Sequence, residues 1–121
     1  MRLLSVRRES SDSVRILYND AEAISKAVSD YARSLRLAHP EIASIRWFGS
    51  RVRGDATVGS DVDLCIIVRE SSRPRRERVE DYLPRSFPVG LDLYVPTIAE
   101  RAKLGAEHPS MSRAIENGRE V

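Results

Sequence analysis

The chain has 121 residues, and its 41% apolar share is enough for one folded domain with a single core. Its formal charge of +2 comes from 20 basic and 18 acidic residues, too even a balance to indicate nucleic acid by itself. No apolar run approaches the ~20 residues of a membrane span, and Met1-Arg2-Leu3-Leu4 is too short an apolar start for a secretory leader. The single cysteine, Cys65, cannot form an internal disulfide, so a reducing, cytoplasmic setting is expected.

Residues 1–19 form an N-terminal arm or edge element, with Leu3, Leu4 and Val6 as its apolar positions, and residues 20–121 form the domain proper. Ser11-Asp12-Ser13 or, better, Asn19-Asp20 caps the first helix, whose apolar residues Ala21, Ile24, Val28, Tyr31 and Leu35 recur at helical spacing until Pro40. Ile42 to Phe48 reads as a strand closed by Gly49. Val62 to Val68 reads as a second strand, apolar on both faces beyond Asp63 and therefore central. Arg73 to Leu83 is predicted as a helix stopped by Pro84, and its arginines Arg73, Arg75, Arg76 and Arg78, mixed with acids, as a solvated face. Leu91 to Val95 is the third strand. Thr97 and Glu100 make a capping box for the next helix, and Pro109 opens a last one through Asn117, stopped by Gly118. Arg119-Glu120-Val121 offers the start of another strand. This order predicts an α/β (α+β) domain, a small mixed sheet flanked by helices.

The chemistry concentrates between Phe48 and Leu64. Asp61 and Asp63 are separated by one residue, so in a strand their carboxylates leave the same face and aim at one point. Two adjacent carboxylates repel, and a hard divalent cation such as Mg²⁺ removes that penalty. Gly49-Ser50 is a turn whose amides can meet an anion. Gly49 to Gly54 has the spacing of a Walker loop, but Asp55 stands where lysine is required, which excludes a P-loop NTPase. Asp92, inside the apolar run Leu91-Asp92-Leu93-Tyr94-Val95, is a third aspartate where strands disfavour one. Neutralising all three by Arg46, Arg51 or Arg53 as buried ion pairs would be costly. His39 and His108 lack partners at zinc spacing, and Cys65 reads as a small core residue.

Gly49-Ser50, Arg53-Gly54, Ser60-Asp61-Val62-Asp63-Leu64 and the later Asp92 resemble the nucleotidyltransferases related to DNA polymerase beta, most closely the minimal nucleotidyltransferase (MNT) branch. The resemblance implies a polymerase-beta-like fold and an enzyme that uses ATP and two Mg²⁺ ions. It places metal ligation on Asp61, Asp63 and Asp92, with Asp92 also activating the attacking hydroxyl. Ser50 and the amides of the Gly49 turn would hold the β- and γ-phosphates. Arg51 and Arg53 would contact the phosphates or the acceptor, or else stand as a solvated or structurally paired loop, and Ser60 would bond a phosphate or cap the turn. Only two short helices follow Val95, so a second protein is expected to supply the acceptor. In the MNT branch this resembles an antitoxin that transfers AMP onto a HEPN-type ribonuclease toxin, in a hetero-oligomer without direct nucleic-acid or membrane contact. The alternatives are an antitoxin that neutralises by binding alone, and a free-standing enzyme acting on a small molecule or an RNA end.

Overall fold

Each strand owes its place to how many of its faces are apolar. A computed structural model describes residues 4–6, 21–53 and 61–121. Strand β1 is Leu4–Val6, β2 is Ile42–Phe48, β3 is Val62–Val68, β4 is Leu91–Tyr94 and β5 is Arg119–Glu120. They form one five-stranded sheet in the order β1-β4-β3-β2-β5, so β3, the most apolar, is central as its sequence predicts. Strands β3 and β4 are parallel, and every other pair is antiparallel. The apolar start of the chain is thus realised as an edge strand, with Ser5 opposite Asp92. The proposed caps before residue 21 lie outside the described residues.

The helices cover both faces of the sheet. Helix α1, Ala21–Ala38, buries Ile24, Val28, Ala32 and Leu35, a stripe at steps of four, four and three. That stripe packs with Ile45, Trp47, Val62, Leu64, Ile66, Leu91 and Leu93 in the larger apolar cluster. The other face carries Phe48, Cys65 and Tyr94, which meet Leu104 of α4, Ile98–Glu107, and Ile115 of α5, Pro109–Glu116. The expected single core is therefore two clusters separated by the sheet. Burying one such aliphatic side chain contributes about 1.5–3 kcal/mol, and α5 is held this way by the fully buried Ile115. Among the described residues, no helix is long and apolar enough to cross a membrane.

The predicted helix over 73–83 is shorter than its sequence suggests. It comprises α3, Arg75–Arg78, continued by a 3₁₀ turn, Val79–Asp81. Its arginines are not all solvated: Arg78 is buried. Its Nη1 donates to the Val95 carbonyl at 2.9 Å and to Glu100 Oε1 at 2.6 Å, and its Nη2 to Glu100 Oε2 at 3.2 Å. The same Glu100 completes the predicted capping box with Thr97. Arg73 instead pairs with Asp81 at the surface.

The Arg78 hydrogen bond holds the Glu100 carboxyl down at about 2, below its ordinary 4.5. A carboxylate depressed by folding contributes stability above its unfolded pKa and loses it as pH falls toward the folded one. Stability should accordingly decline from about pH 4.5 toward 2, tempered by the partial exposure of Glu100. Urea midpoints across that window should fall less steeply for Glu100→Gln than for the parent chain; parallel slopes would contradict the assignment.

Candidate active site

The carboxylates gather where β3 and β4 begin. Asp63 and Asp92 are direct neighbours across the parallel β3–β4 pair, and Asp63 also stands opposite Phe48 on β2. Asp61 immediately precedes β3, two residues from Asp63, so the backbone sets all three on one face of the sheet. Farther along, that face carries Cys65 and Tyr94 into the α4–α5 cluster. The aspartate-bearing end and the packed end thus share a single surface. All three aspartates are partly buried.

Two glycines make room for them. Gly49 ends β2 with φ +91°, a backbone conformation that other residues rarely adopt. A Cβ at Gly49 would overlap Asp63 Oδ2 and lie 3.1 Å from its Cγ. Gly90, just before β4, faces Asp61 in the same way: a Cβ there would overlap Oδ1 and sit 2.7 Å from Cγ. Asp61 therefore leans toward the β4 side and Asp63 toward the β2 side. Among the described residues, no three His, Cys, Asp or Glu side chains stand as a ready-made group for an ion. Meeting on a shared cation is then a matter of side-chain rotamers, because the backbone already sets the carboxylates on one face. The donors are hard oxygens of the kind a magnesium ion takes, and the two glycine niches leave them space.

Gly49 leads into α2, Ser50–Arg53, which brings Ser50 and Arg51 to the same end of the sheet as the aspartates. The side chain of Arg53 and all of Ser60 lie outside the described residues. Arg46, a candidate counter-charge for the aspartates, is committed elsewhere. Its Nε donates to the Ile115 carbonyl at 2.9 Å, and its Nη2 to those of Glu116 and Gly118 at 3.2 and 2.7 Å. These bonds satisfy the carbonyls at the end of α5. Burial pushes the Cys65 thiol up to about 12, so it stays protonated at neutral pH and is no nucleophile.

Sequence reading missed Gly90. Its signal was an isolated glycine one residue ahead of an aspartate-bearing strand, a pattern that marks a close approach. It also missed a cavity of about 220 Å³ beside Gly49 and Val52, lined on the other side by Ser110, Arg113, Ala114 and Asn117 of α5 and its end. No local motif announces that cavity, because it exists only once α5 docks on β2.

Taken together, a mixed sheet between helices with aspartates at the start of its central parallel pair defines a nucleotidyltransferase-like fold. A protein from Sulfolobus solfataricus, a candidate nucleotidyltransferase of known crystal structure, superposes with a TM-score of 0.55 at 18% identity. The match covers 79% of this chain and 85% of that one, a likeness of fold. No curated protein sequence matches the chain. The family described as nucleotidyltransferase domain matches residues 26–121, and the chain belongs to that family, within the polymerase beta superfamily. Domains of this family generally use a nucleoside triphosphate and a divalent metal.

Proposed function

We propose that the chain transfers AMP from ATP onto a hydroxyl of a protein partner, and that this partner is a HEPN-type ribonuclease toxin which the modification silences. The observation that carries the reading is Asp63 set directly beside Asp92, next to a turn that opens on a glycine at φ +91°, in a chain of the nucleotidyltransferase family. The narrower assignment to an antitoxin is supported by the likeness of Gly49-Ser50 and Asp61-Val62-Asp63 to the MNT motif.

In this reading Asp61, Asp63 and Asp92 hold divalent cations, and the amides and hydroxyl of the Gly49-Ser50 turn hold the β- and γ-phosphates, aided by Arg51, Arg53 and Ser60. When bound, the metal draws charge off the phosphates and steadies the leaving group. Anchoring the outer phosphates at the turn leaves the α-phosphorus open on the side away from pyrophosphate. The acceptor oxygen bonds to the α-phosphorus, and the bond from that phosphorus to the α–β bridging oxygen breaks. Pyrophosphate leaves, and the hydroxyl proton passes to the Asp92 carboxylate. Pyrophosphate departs with the charge that the turn and the arginines already neutralise.

Intact mass spectrometry tests the reading directly. The partner that co-purifies from the native host, incubated with the chain and Mg²⁺-ATP, should gain AMP-sized increments. A partner whose mass is unchanged while its toxicity is still neutralised would make this an antitoxin that acts by binding alone.

A further inference from the structure

The cavity beside Gly49 has a composition that the reaction so far described does not use. Ser110, Arg113, Ala114 and Asn117 follow steps of three, one and three, so they form one stripe along α5 and its end, facing the Gly49-Val52 segment. The opposite face of α5 is fixed by buried Ser112 and Ile115, and the three carbonyl bonds from Arg46 hold its end in place. The stripe is therefore rigidly presented. Its lining includes one guanidinium, one amide and one hydroxyl, and no acidic residue. Arg33, Arg73, Arg78 and Arg101 each face a carboxylate, and nearby Glu116 faces Arg101 rather than Arg113. Among the described residues, Arg113 joins no such pair.

At about 220 Å³ the cavity is smaller than the ~300–1,000 Å³ of a pocket for a whole ligand. It suits one part of a ligand, and a cationic, amide-bearing lining suits an anionic part. It adjoins the turn that would hold the outer phosphates. We infer that this cavity receives the terminal phosphate of the nucleotide, with Arg113 and Asn117 as the residues that distinguish a triphosphate from a diphosphate. The inference rests on the nucleotidyl-transfer reading and adds a specificity role for α5, an element outside the Gly-Ser and Asp-x-Asp motifs. Its consequence is that nucleotides carrying a third phosphate are bound better than those ending at the second.

Calorimetric titration with α,β-methylene-ATP and with ADP, each with Mg²⁺, tests it without turnover. The parent chain should bind the triphosphate analogue more tightly. Arg113→Gln should weaken that binding about tenfold or more while leaving ADP unchanged, the scale of a lost charge-assisted hydrogen bond. Arg113→Lys should retain part of the preference. Arg113 is exposed, so the substitutions should leave the thermal midpoint in place. If Arg113→Gln keeps the parental ratio, or weakens both ligands equally, the terminal-phosphate role is overturned while the proposed transfer stands, because the analogue still binds. A parent chain that binds neither ligand overturns both.

Discussion

Asp63→Asn is expected to leave the chain folded and to lower the rate of nucleotidyl transfer by a factor of about a thousand or more. Asparagine keeps the size and planarity of the side chain, so the β3–β4 pairing that sets residue 63 beside Asp92 should persist. What disappears is the negative charge that would hold a cation against the phosphates. Metal stabilisation of transition-state charge is worth several kcal/mol, and each 1.36 kcal/mol is tenfold in rate. Asp92→Asn should match it, with the added loss of the proton acceptor. Pyrophosphate release is the quantity to follow, with the thermal midpoint as a control for folding. A variant that retains a tenth of the parental rate would remove Asp63 from the ligand set. Neutralisation of the proposed toxin partner by that same variant would separate catalysis from binding.

Arg78→Met should be the most damaging single change to stability outside the apolar clusters. Methionine fills similar space, but the Val95 carbonyl loses the Arg78 donor, and the Glu100 carboxylate loses both guanidinium bonds while keeping the Thr97 N–H. The Arg73 carbonyl also loses Arg78 Nε, which donates to it at 2.9 Å. Breaking one side of a buried pair costs about 3–5 kcal/mol. Glu100 keeps 38% of its side-chain surface and can resolvate, which brings the expected loss to about 2–3 kcal/mol. In a chain of this size that lowers the thermal midpoint by roughly 10 °C. Urea unfolding should show the midpoint move at constant slope. A shift corresponding to less than about 0.5 kcal/mol would mean that the pair is no stronger than a surface one. A double-mutant cycle with Glu100→Gln isolates the coupling.

The strands and the capping box were legible because their signals are local. Short apolar runs placed Ile42–Phe48 and Val62–Val68 at their observed bounds, and Thr97 with Glu100 marked a helix start from side chains three residues apart. The third strand ended one residue early, at Tyr94. The helix over 73–83 fell short for the opposite reason. Its arginine run looks like solvent-facing surface until Glu100, from a distant segment, arrives to bury Arg78. Likewise, the spacing of Asp61 and Asp63 gave their shared face but not their lean, which depends on Gly90 and Gly49 from two flanking strands. Nothing within α5 itself foretold the stripe facing Gly49, because helical period alone does not say which element it will meet.

The parallel pairing of β3 with β4 has a kinetic consequence. The segment from 69 to 90 must cross over before Asp63 gains Asp92 as a neighbour, and such long-range closure is slow and cooperative. A folding intermediate with β2 and β3 paired but β4 undocked would hold two of the three aspartates, Asp61 and Asp63, without Asp92. Competence for chemistry would then arrive in one step, together with the last tertiary closure, and nucleotide bound at that junction would favour the closed chain by mass action.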